Sequence, residues 1–339
     1  MSKRTVPPVY IIAEIGSVHD GSLGNALHLV DLAAECGANA VKFQTHIAEA
    51  ETLPNAPSPP FFNSEPRFDY FRRTSFTPDQ WKTLKLACEK RGVTFLSSPF
   101  SEEAVGLLEL LGVSQYKIPS GEVTNLPLLE KIARLGKPVI LSSGMSTWSE
   151  LDRAVEVIRK EHNRITLLQC TSEYPCSYER VGLNAMLEMQ QRYGVPVGLS
   201  DHTLTPYATY AAVTLGARVI ERHVTFSRSM YGSDAKHSLE PSEFAELVRG
   251  VRALEVMLTS QVDKNDLSRL QEMKQTFEKS LVARVDIPAG TIIAREMLGI
   301  RKPGTGLSAA RLEEVVGKRT IRAIPAATLL TLRDIEGVE

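Results

Sequence analysis

The sequence predicts an α/β protein in which a closed (β/α)₈ barrel precedes a small, mostly-β domain. Eight short apolar runs alternate with amphipathic stretches up to about residue 258, as expected for parallel strands covered on both faces. Every apolar run is followed at once by polar residues, which is typical of the rim where barrel strands end. After residue 258 the pattern changes to short β-like runs between Pro and Gly turns.

The eight candidate strands are apolar for most of their length. They cover residues 9–15, 40–44, 94–97, 115–118, 138–141, 165–169, 196–199 and 219–223. Helical patterns lie between them, and in the first one Leu23, Leu27 and Val30 share a face before Gly37 can stop the helix. Eight such units in succession favour a TIM barrel. A doubly wound open sheet is the alternative, but it requires no regular count of eight.

Composition restricts the class of protein. The 339 residues include 43% hydrophobic residues, enough for a full core, and the net charge is −1. Such a balance argues against nucleic-acid binding, which needs surplus cations, and no apolar run is long enough to cross a membrane. The four cysteines are scattered, which indicates reduced thiols and a cytoplasmic protein.

Domain boundaries follow from the change in pattern. We expect the barrel to cover residues 1–260, a linker with a short helix to cover 261–280, and the β-rich domain to cover 281–339. A polar helical pattern at 266–278 marks that linker. The irregular stretch 46–76, rich in Pro, Ser and Asn, is too long for an ordinary connection and predicts a functional lid or a disordered segment.

Two lysines stand out among the strand ends. Lys42 and Lys117 come from the second and fourth strands, whose inward side chains belong to one layer set of such a barrel. Two ammonium groups among hydroxyls suit a phosphate or carboxylate ligand. The alternative is that each lysine extends to solvent at its strand edge. The small-residue segments at 120–122 and 142–145 could bring backbone N–H groups close to an anion.

Two histidines form a second candidate site. His202 and His223 end the adjacent seventh and eighth strands, so their imidazoles can meet and, with a carboxylate such as Glu14 or Asp234, bind a divalent metal. Glu14 and Glu122 are candidate general bases. For Glu221, pairing with Lys42, Lys117 or Arg222 is the preferred interpretation. His19, His46 and His237 lie in loops near the rim and stay unassigned.

Ten short segments spread over nearly the whole chain form a specific combination, although each piece is short. They are AEIGSVHDG (13–21), VKFQTH (41–46), FLSSPFS (95–101), YKIPSGEVTNLPLL (116–129), GKPVILSSGM (136–145), LLQCTSEYP (167–175), PVGLSDHTL (196–204), VIERHVTFSR (219–228), GSDAKHSLEP (232–241) and the KSLVARVDIPAG stretch that begins the last domain. Taken together, these segments resemble the sialic acid synthase family, whose members condense phosphoenolpyruvate with amino sugars.

The resemblance implies a fold, an assembly and a site. It implies a TIM barrel followed by an antifreeze-like (SAF) domain, in a domain-swapped homodimer whose SAF domain caps the partner's barrel. It assigns His202 and His223 to a divalent metal, with Mn²⁺ preferred over Mg²⁺ or Co²⁺. The residues it assigns to phosphoenolpyruvate are Lys42, Ser98, Lys117, Ser120, Ser142, Ser172 and Ser200. The residues it assigns to the sugar and the attacking water are Glu14, Gln44, Tyr174 and Asp234.

Some positions depart from the family's pattern. Ala235 follows Asp234 where many members have histidine, Gln169 stands where histidine is frequent, and Ser172 replaces an asparagine. The Lys-Arg-Pro-Gly pattern of the last domain is inverted, so the sugar contact expected from the partner falls to Arg301 or Lys302. A lysine cannot reproduce a planar guanidinium fork, and the two residues are therefore not equivalent.

The expected reaction joins phosphoenolpyruvate, an open-chain N-acylated amino sugar and water, releasing phosphate. N-acetylmannosamine is the favoured acceptor, which would give N-acetylneuraminate. The 2,4-diacetamido hexoses leading to legionaminate or pseudaminate are alternatives. A phosphorylated aldose, as used by deoxy-sugar-acid synthases, is opposed by the extra C-terminal domain. From another class, a catalytically idle carbohydrate-binding protein would keep the fold without the reaction.

Overall fold

A computed structural model describes residues 7–58 and 65–338 of the chain. These residues form two compact units with the boundary between Ser260 and Gln261. None of the described helices is both long and apolar enough to cross a bilayer. Residues 59–64, part of the predicted lid at 46–76, lie outside the described residues.

The first unit is an eight-stranded parallel barrel, as the sequence predicts. The strand order is β3-β2-β1-β8-β7-β6-β5-β4, and all hydrogen-bonded neighbours are parallel. The edge strands β3 and β4 pack against each other without a ladder, so the barrel is nearly closed. The strands are β1 Tyr10–Gly16, β2 Ala40–Thr45, β3 Thr94–Pro99, β4 Tyr116–Ile118, β5 Val139–Ser142, β6 Ile165–Cys170, β7 Val197–Ser200 and β8 Val219–His223.

Helices follow the strands and cover the outside of the barrel. Several begin with a side-chain cap: Thr77 and Gln80 form a reciprocal capping box, as do Thr147 and Glu150. The helices are α1 Leu23–Glu35, α2 Ala48–Glu51, α3 Arg67–Thr74, α4 Pro78–Lys90, α5 Glu102–Leu110, α6 Leu126–Arg134, α7 Trp148–Arg159, α8 Leu183–Tyr193, α9 Tyr207–Thr214 and α10 Pro241–Thr259.

The predicted lid contains regular structure. Helices α2 and α3 both lie between β2 and α4, so the described part of this connection is not a structureless loop. Arg73 of α3 donates to Asp20 Oδ1 at 2.9 Å and to Glu65 Oε2 at 3.0 Å. These contacts attach α3 to the loop that follows β1.

The interior of the barrel is layered because side chains alternate along a strand. An apolar layer fills the lower part of the interior, and the residues two positions further along the same strands are mostly polar. The apolar layer consists of Ile12, Ala40, Leu96, Ile140, Leu168 and Val219. The layer above it contains Glu14, Lys42, Ser98, Ser142, Cys170 and Glu221. The strand period therefore places a buried polar layer directly above an apolar plug.

The second unit is small and has its own core. Strands β9 (Ser280–Ala283) and β10 (Leu298–Arg301) pair antiparallel, and isolated bridges extend the β-structure. Helices α11 (Gln271–Phe277) and α12 (Leu312–Val315) complete it. The helix predicted at 266–278 is too long, because the Asp266 side chain accepts from the Ser268 backbone N–H at 3.0 Å and this turn competes with helix formation.

Gly198 of β7 is expected to be essential for barrel packing. A Cβ atom at this position would lie 2.1 Å from the Val219 carbonyl oxygen and 2.7 Å from Leu168 Cδ2. Gly198→Ala should therefore lower the free energy of unfolding by about 1–3 kcal/mol or more, measured by urea denaturation. Gly106→Ala in α5, where a Cβ meets nothing within 4 Å, should be neutral or stabilising by about 0.5–1 kcal/mol. Equal effects of both variants would contradict the packing argument.

Candidate active site

Four charged side chains meet in the interior of the barrel. Lys42 Nζ lies 2.8 Å from Glu14 Oε2 and 3.5 Å from Glu221 Oε1. Lys117 Nζ lies 3.2 Å from the same Glu221 oxygen, and all four side chains are almost completely buried. The lysines thus converge inside the barrel, as the favoured interpretation expected, and the alternative that they extend to solvent is wrong. Glu221 pairs with both lysines. The sequence favoured an ion pair for Glu221 but did not choose among Lys42, Lys117 and Arg222.

The two lysines are electrostatically different. Burial lowers the pKa of Lys42, but Glu14 and Glu221 outweigh burial and hold that pKa above its ordinary value. Burial also lowers the pKa of Lys117, and there Glu221 does not fully compensate because the Lys42 charge opposes it, so the pKa stays below the ordinary value. Burial alone would raise the pKa of Glu221, yet the two ammonium groups hold it well below its usual range.

Hydroxyl groups surround this cluster from several strand ends. Ser98 Oγ accepts from Lys42 Nζ at 3.3 Å, and Ser142 Oγ is buried without a hydrogen-bond partner among the described residues. Gly144 N–H donates to Ser120 Oγ at 3.1 Å. A Cβ atom on Gly144 would lie 2.4 Å from Ser172 Oγ, so Gly144 brings both serines close to the backbone. Ser200 is buried at the end of β7, opposite Glu221.

His202 and His223 meet as predicted. Their ring centroids are 5.6 Å apart. His202 Nδ1 lies 2.8 Å from the Thr171 carbonyl oxygen, and since a carbonyl only accepts, Nδ1 carries the hydrogen and Nε2 keeps a free lone pair. Burial and the nearby His223 lower the pKa of His202 to about 4, so this imidazole is neutral at pH 7.

The histidine pair fits a divalent metal as two ligands of an open site. His223 Nδ1 is buried and has no hydrogen-bond partner within the described part of the chain. Within the same residues, no three His, Cys, Asp or Glu side chains gather into a group that could hold a metal ion. Two imidazoles alone would leave the other coordination positions to water or substrate.

Asp234 lies against the end of β1, near His223. Gly16 has a φ of 53°, and a Cβ there would lie 2.3 Å from Asp234 Oδ2 and 3.3 Å from His223 Cε1. Asp234 Oδ2 also accepts from Ser17 N–H and Ser17 Oγ, both at 2.7 Å. Burial raises the pKa of Asp234, but His223 and the Ser17 hydrogen bonds outweigh burial and keep it below the ordinary value.

Tyr174 covers the histidines from the loop after β6. Its ring centroid lies 4.2 Å from that of His202 and 6.1 Å from those of His223 and His237. His237 sits beside Asp234 on a short 3₁₀ turn, and its Nε2 is buried without a partner in the described part of the chain. The predicted sugar residues Tyr174 and Asp234 therefore flank the histidine pair, together with His237.

Gln44 connects the charged layer to the predicted lid. Its Nε2 donates to Glu14 Oε1 at 2.7 Å, and its Oε1 lies 3.1 Å from His46 Nε2. The His46 ring stacks on Phe71 of α3 at 3.8 Å, and its Nδ1 lies 2.8 Å from Glu51 Oε1 of α2. The sequence left His46 unassigned because its contacts include a separate helix, and no local pattern predicts that contact.

Three further predicted residues are Glu122 in the first unit and Arg301 and Lys302 in the second. Glu122 is half-buried on a 3₁₀ turn after β4 and accepts from Asn125 Nδ2 at 2.8 Å. Burial and the Glu51 carboxylate raise its pKa. Arg301 ends β10 and Lys302 follows it, both exposed in the second unit. Lys302 Nζ lies 4.8 Å from the centroid of the Phe277 ring in the same unit.

Sequence reasoning missed one buried ion pair beside the histidines. Asp201 precedes His202, Arg222 precedes His223, and Arg222 Nη1 bonds Asp201 Oδ2. Both residues were visible as polar strand ends, but the sequence offered Arg222 a glutamate partner instead. Strand alternation was the available signal, because it turns both residues away from the barrel interior.

Comparisons with known proteins cover both units. The NeuB family model matches residues 29–263, and the SAF domain model matches residues 278–336. The sequence is 40% identical to N,N'-diacetyllegionaminic acid synthase of Campylobacter jejuni, over 91% of this chain and 94% of that protein. It is 37% identical to human N-acetylneuraminate-9-phosphate synthase, over 87% of this chain and 83% of the human protein.

A solved structure is similar as well. The N-acetylneuraminic acid synthetase of Leptospira borgpetersenii, in complex with citrate, superposes with a TM-score of 0.70. That protein is 31% identical in sequence, and the superposition covers 81% of this chain and 95% of the other. The predicted barrel and SAF domain agree with these matches.

The buried His19 should make stability depend on pH. Burial is the main cause that lowers its pKa to about 4 from an ordinary 6.5, with His46 adding to the effect and Asp234 opposing it. Only the unfolded chain takes up a proton on His19 between these values. The free energy of unfolding should therefore fall by up to about 3 kcal/mol as the pH drops from 6.5 to 4.

Urea denaturation across this pH range measures the effect. His19→Asn keeps an acceptor for the Gly21 N–H, which donates to His19 Nδ1 at 3.0 Å, and should reduce the pH slope. His28→Asn, at an exposed site of α1, should leave the slope unchanged. An unchanged slope in His19→Asn would contradict the assignment.

Proposed function

We propose that this chain, which belongs to the NeuB family of phosphoenolpyruvate-dependent nonulosonate synthases, condenses phosphoenolpyruvate with N-acetylmannosamine and water to give N-acetylneuraminate and phosphate. The convergence of Lys42 and Lys117 on Glu221, two residues before His223 on β8, carries this proposal. It brings an anion-binding pair next to a histidine pair inside one barrel. A catalytically idle carbohydrate-binding protein would have no need of that arrangement.

His202 and His223 would hold a divalent metal, with Mn²⁺ as our first choice and Mg²⁺ or Co²⁺ as alternatives. Two observations support this assignment: His223 Nδ1 has no hydrogen-bond partner among the described residues, and His202 Nε2 keeps a free lone pair. A bound metal would supply Lewis acidity toward the aldehyde oxygen of the open-chain sugar. Tyr174, Asp234 and Gln44 would contact the sugar.

Lys42 and Lys117 would bind the anionic groups of phosphoenolpyruvate through charge-assisted hydrogen bonds. The hydroxyls of Ser98, Ser120, Ser142, Ser172 and Ser200 would complete this binding site. Bound in this way, phosphoenolpyruvate would have its C3 atom directed at the aldehyde. The two substrates would then react within one complex, as in a unimolecular step. The new bond joins C3 to the aldehyde carbon, whose oxygen takes up a proton.

Bond formation leaves positive character at C2 of the enolpyruvyl unit. Water adds there and gives a tetrahedral adduct that expels phosphate. Glu14 is our choice for the base that takes the water proton, because Gln44 and Lys42 fix its carboxylate in the same layer. Glu122 is the alternative base, and burial raises its pKa. However, its carboxylate already accepts a hydrogen bond from Asn125.

The proposal extends to assembly and compartment. We infer a domain-swapped homodimer in which Arg301 or Lys302 of one SAF domain reaches the sugar in the partner's barrel. Arg301 is the better candidate, because Lys302 already lies over the Phe277 ring and a guanidinium can bond two sugar oxygens at once. The four free cysteines fit a cytoplasmic protein.

A second acceptor has specific support. The Campylobacter jejuni relative at 40% identity is a synthase of N,N'-diacetyllegionaminic acid. A 2,4-diacetamido hexose is therefore the second candidate acceptor, and the corresponding pseudaminate precursor is a third.

Loss of either histidine should remove the metal-dependent reaction. We expect His202→Ala and His223→Ala each to lower Mn²⁺-dependent phosphate release by more than about a hundredfold, with the far-UV circular dichroism unchanged. His28→Ala, at an exposed site, is the matched control and should keep full activity. Full activity of either histidine variant, or of the wild type in EDTA, would remove the metal from the mechanism.

Competition between acceptors should identify the product. With phosphoenolpyruvate, Mn²⁺ and equal amounts of N-acetylmannosamine and a 2,4-diacetamido hexose, mass spectrometry should find mainly N-acetylneuraminate. A predominant diacetamido product would replace the first candidate by the second. Absence of phosphate release with either sugar would favour the idle binding protein.

A further inference from the structure

We propose that the buried ion pair of Asp201 and Arg222 positions the two histidines, so that His202 and His223 present their rings to a shared metal. This inference rests on the metal-dependent function proposed above. The pair is placed for this role, because each member directly precedes one histidine in sequence. Asp201 is 3% exposed and Arg222 is 2% exposed, so the interaction is isolated from water.

Side-chain alternation puts the pair and the histidines on opposite faces of the barrel wall. Glu221 and His223 point into the barrel, whereas Arg222 points outward from the same strand. Thr209 of α9 donates to Asp201 Oδ2 at 2.8 Å, which shows that the pair lies between the wall and this outer helix. The pair therefore acts behind the site and has no contact with substrate.

The guanidinium of Arg222 organises the loop that carries His202. It bonds Asp201 and the Thr203 carbonyl oxygen, and it donates to the Thr205 carbonyl oxygen at 3.2 Å. Asp201 Oδ1 in turn accepts from Thr203 N–H at 2.9 Å. One side chain of β8 thus binds the polypeptide on both sides of His202.

On the β7 side the ladder ends before the histidines, whereas His223 stays paired with Glu14 of β1. The Asp201–Arg222 pair is therefore needed to connect the segment that carries His202. The paired residues of β7 and β8 stop at Ser200 and Glu221, followed by one hydrogen bond from Asp201 N–H to the Glu221 carbonyl at 3.0 Å. Beyond that point the loop leaves the sheet. The side-chain pair continues the connection between the two segments up to the rings, which lie 5.6 Å apart.

The chemistry of the pair favours orientation over stability. A buried ion pair loses hydration and is weak support for stability, whereas a planar guanidinium fork directs several hydrogen bonds at fixed angles. A lysine would keep the charge and lose the fork. Arg222→Lys should therefore disturb the positions of the histidine rings while leaving the net charge of the site unchanged.

Metal affinity measured without turnover tests the proposal. By titration calorimetry with Mn²⁺ alone, Arg222→Lys should bind about ten- to a hundredfold more weakly than the wild type, as expected for loss of an outer partner of metal ligands. The affinity for phosphoenolpyruvate in the absence of metal should change less than about twofold. Lys42 and Lys117 lie inside the barrel, whereas Arg222 lies on the outer face of its wall. Asp201→Asn, which keeps the shape of the side chain, should weaken Mn²⁺ binding in the same direction and serves if Arg222→Lys does not fold.

Arg252→Lys is the matched control. Arg252 of α10 donates to the Val9 carbonyl oxygen at 2.9 Å and to Asn39 Oδ1 at 2.8 Å, next to the beginnings of β1 and β2. Its loss should lower the thermal stability and leave the Mn²⁺ affinity unchanged. A folded Arg222→Lys protein that binds Mn²⁺ as tightly as the wild type would overturn the positioning role alone. A wild type that binds no Mn²⁺ would overturn the metal-dependent function as well.

Discussion

Two ammonium groups and two carboxylates, buried together inside the barrel, constrain the whole barrel. A single unpaired charge at that depth would be far more costly than a surface charge, so Glu14, Glu221, Lys42 and Lys117 depend on one another. An apolar layer lies below this cluster, and the polar strand ends lie above it. An anionic ligand entering this cluster must compete with Glu221 for both lysines, so binding is coupled to a rearrangement of charge that already exists in the barrel.

The sequence predicts much of this architecture because its signals are local. All eight strands appear within two residues of their predicted ends, since each is a short apolar run bounded by turn residues. The meeting of His202 with His223 also follows, because their strands are adjacent in any barrel of this order. It was harder to predict which partner a charged side chain selects when several are available. Nothing local shows that both lysines share one glutamate or that Arg222 selects Asp201.

Other features depended on competition between local and distant interactions. The predicted helix of the linker is shorter than its pattern, since Asp266 bonds the backbone of its own turn. His46 illustrates the opposite case, in which distant segments decide. Its ring lies between Phe71 and Phe100, at centroid distances of 3.8 and 4.2 Å, and these residues come from a helix and a loop that sequence periodicity cannot bring together.

The missing ladder between β3 and β4 leaves a seam in the barrel wall beside the charged layer. Ser98 belongs to one side of this seam and Lys117 to the other. A small anion bound by both residues would connect β3 and β4, which backbone hydrogen bonds do not join. In the proposed reaction, bound phosphoenolpyruvate would complete the cylinder at this gap.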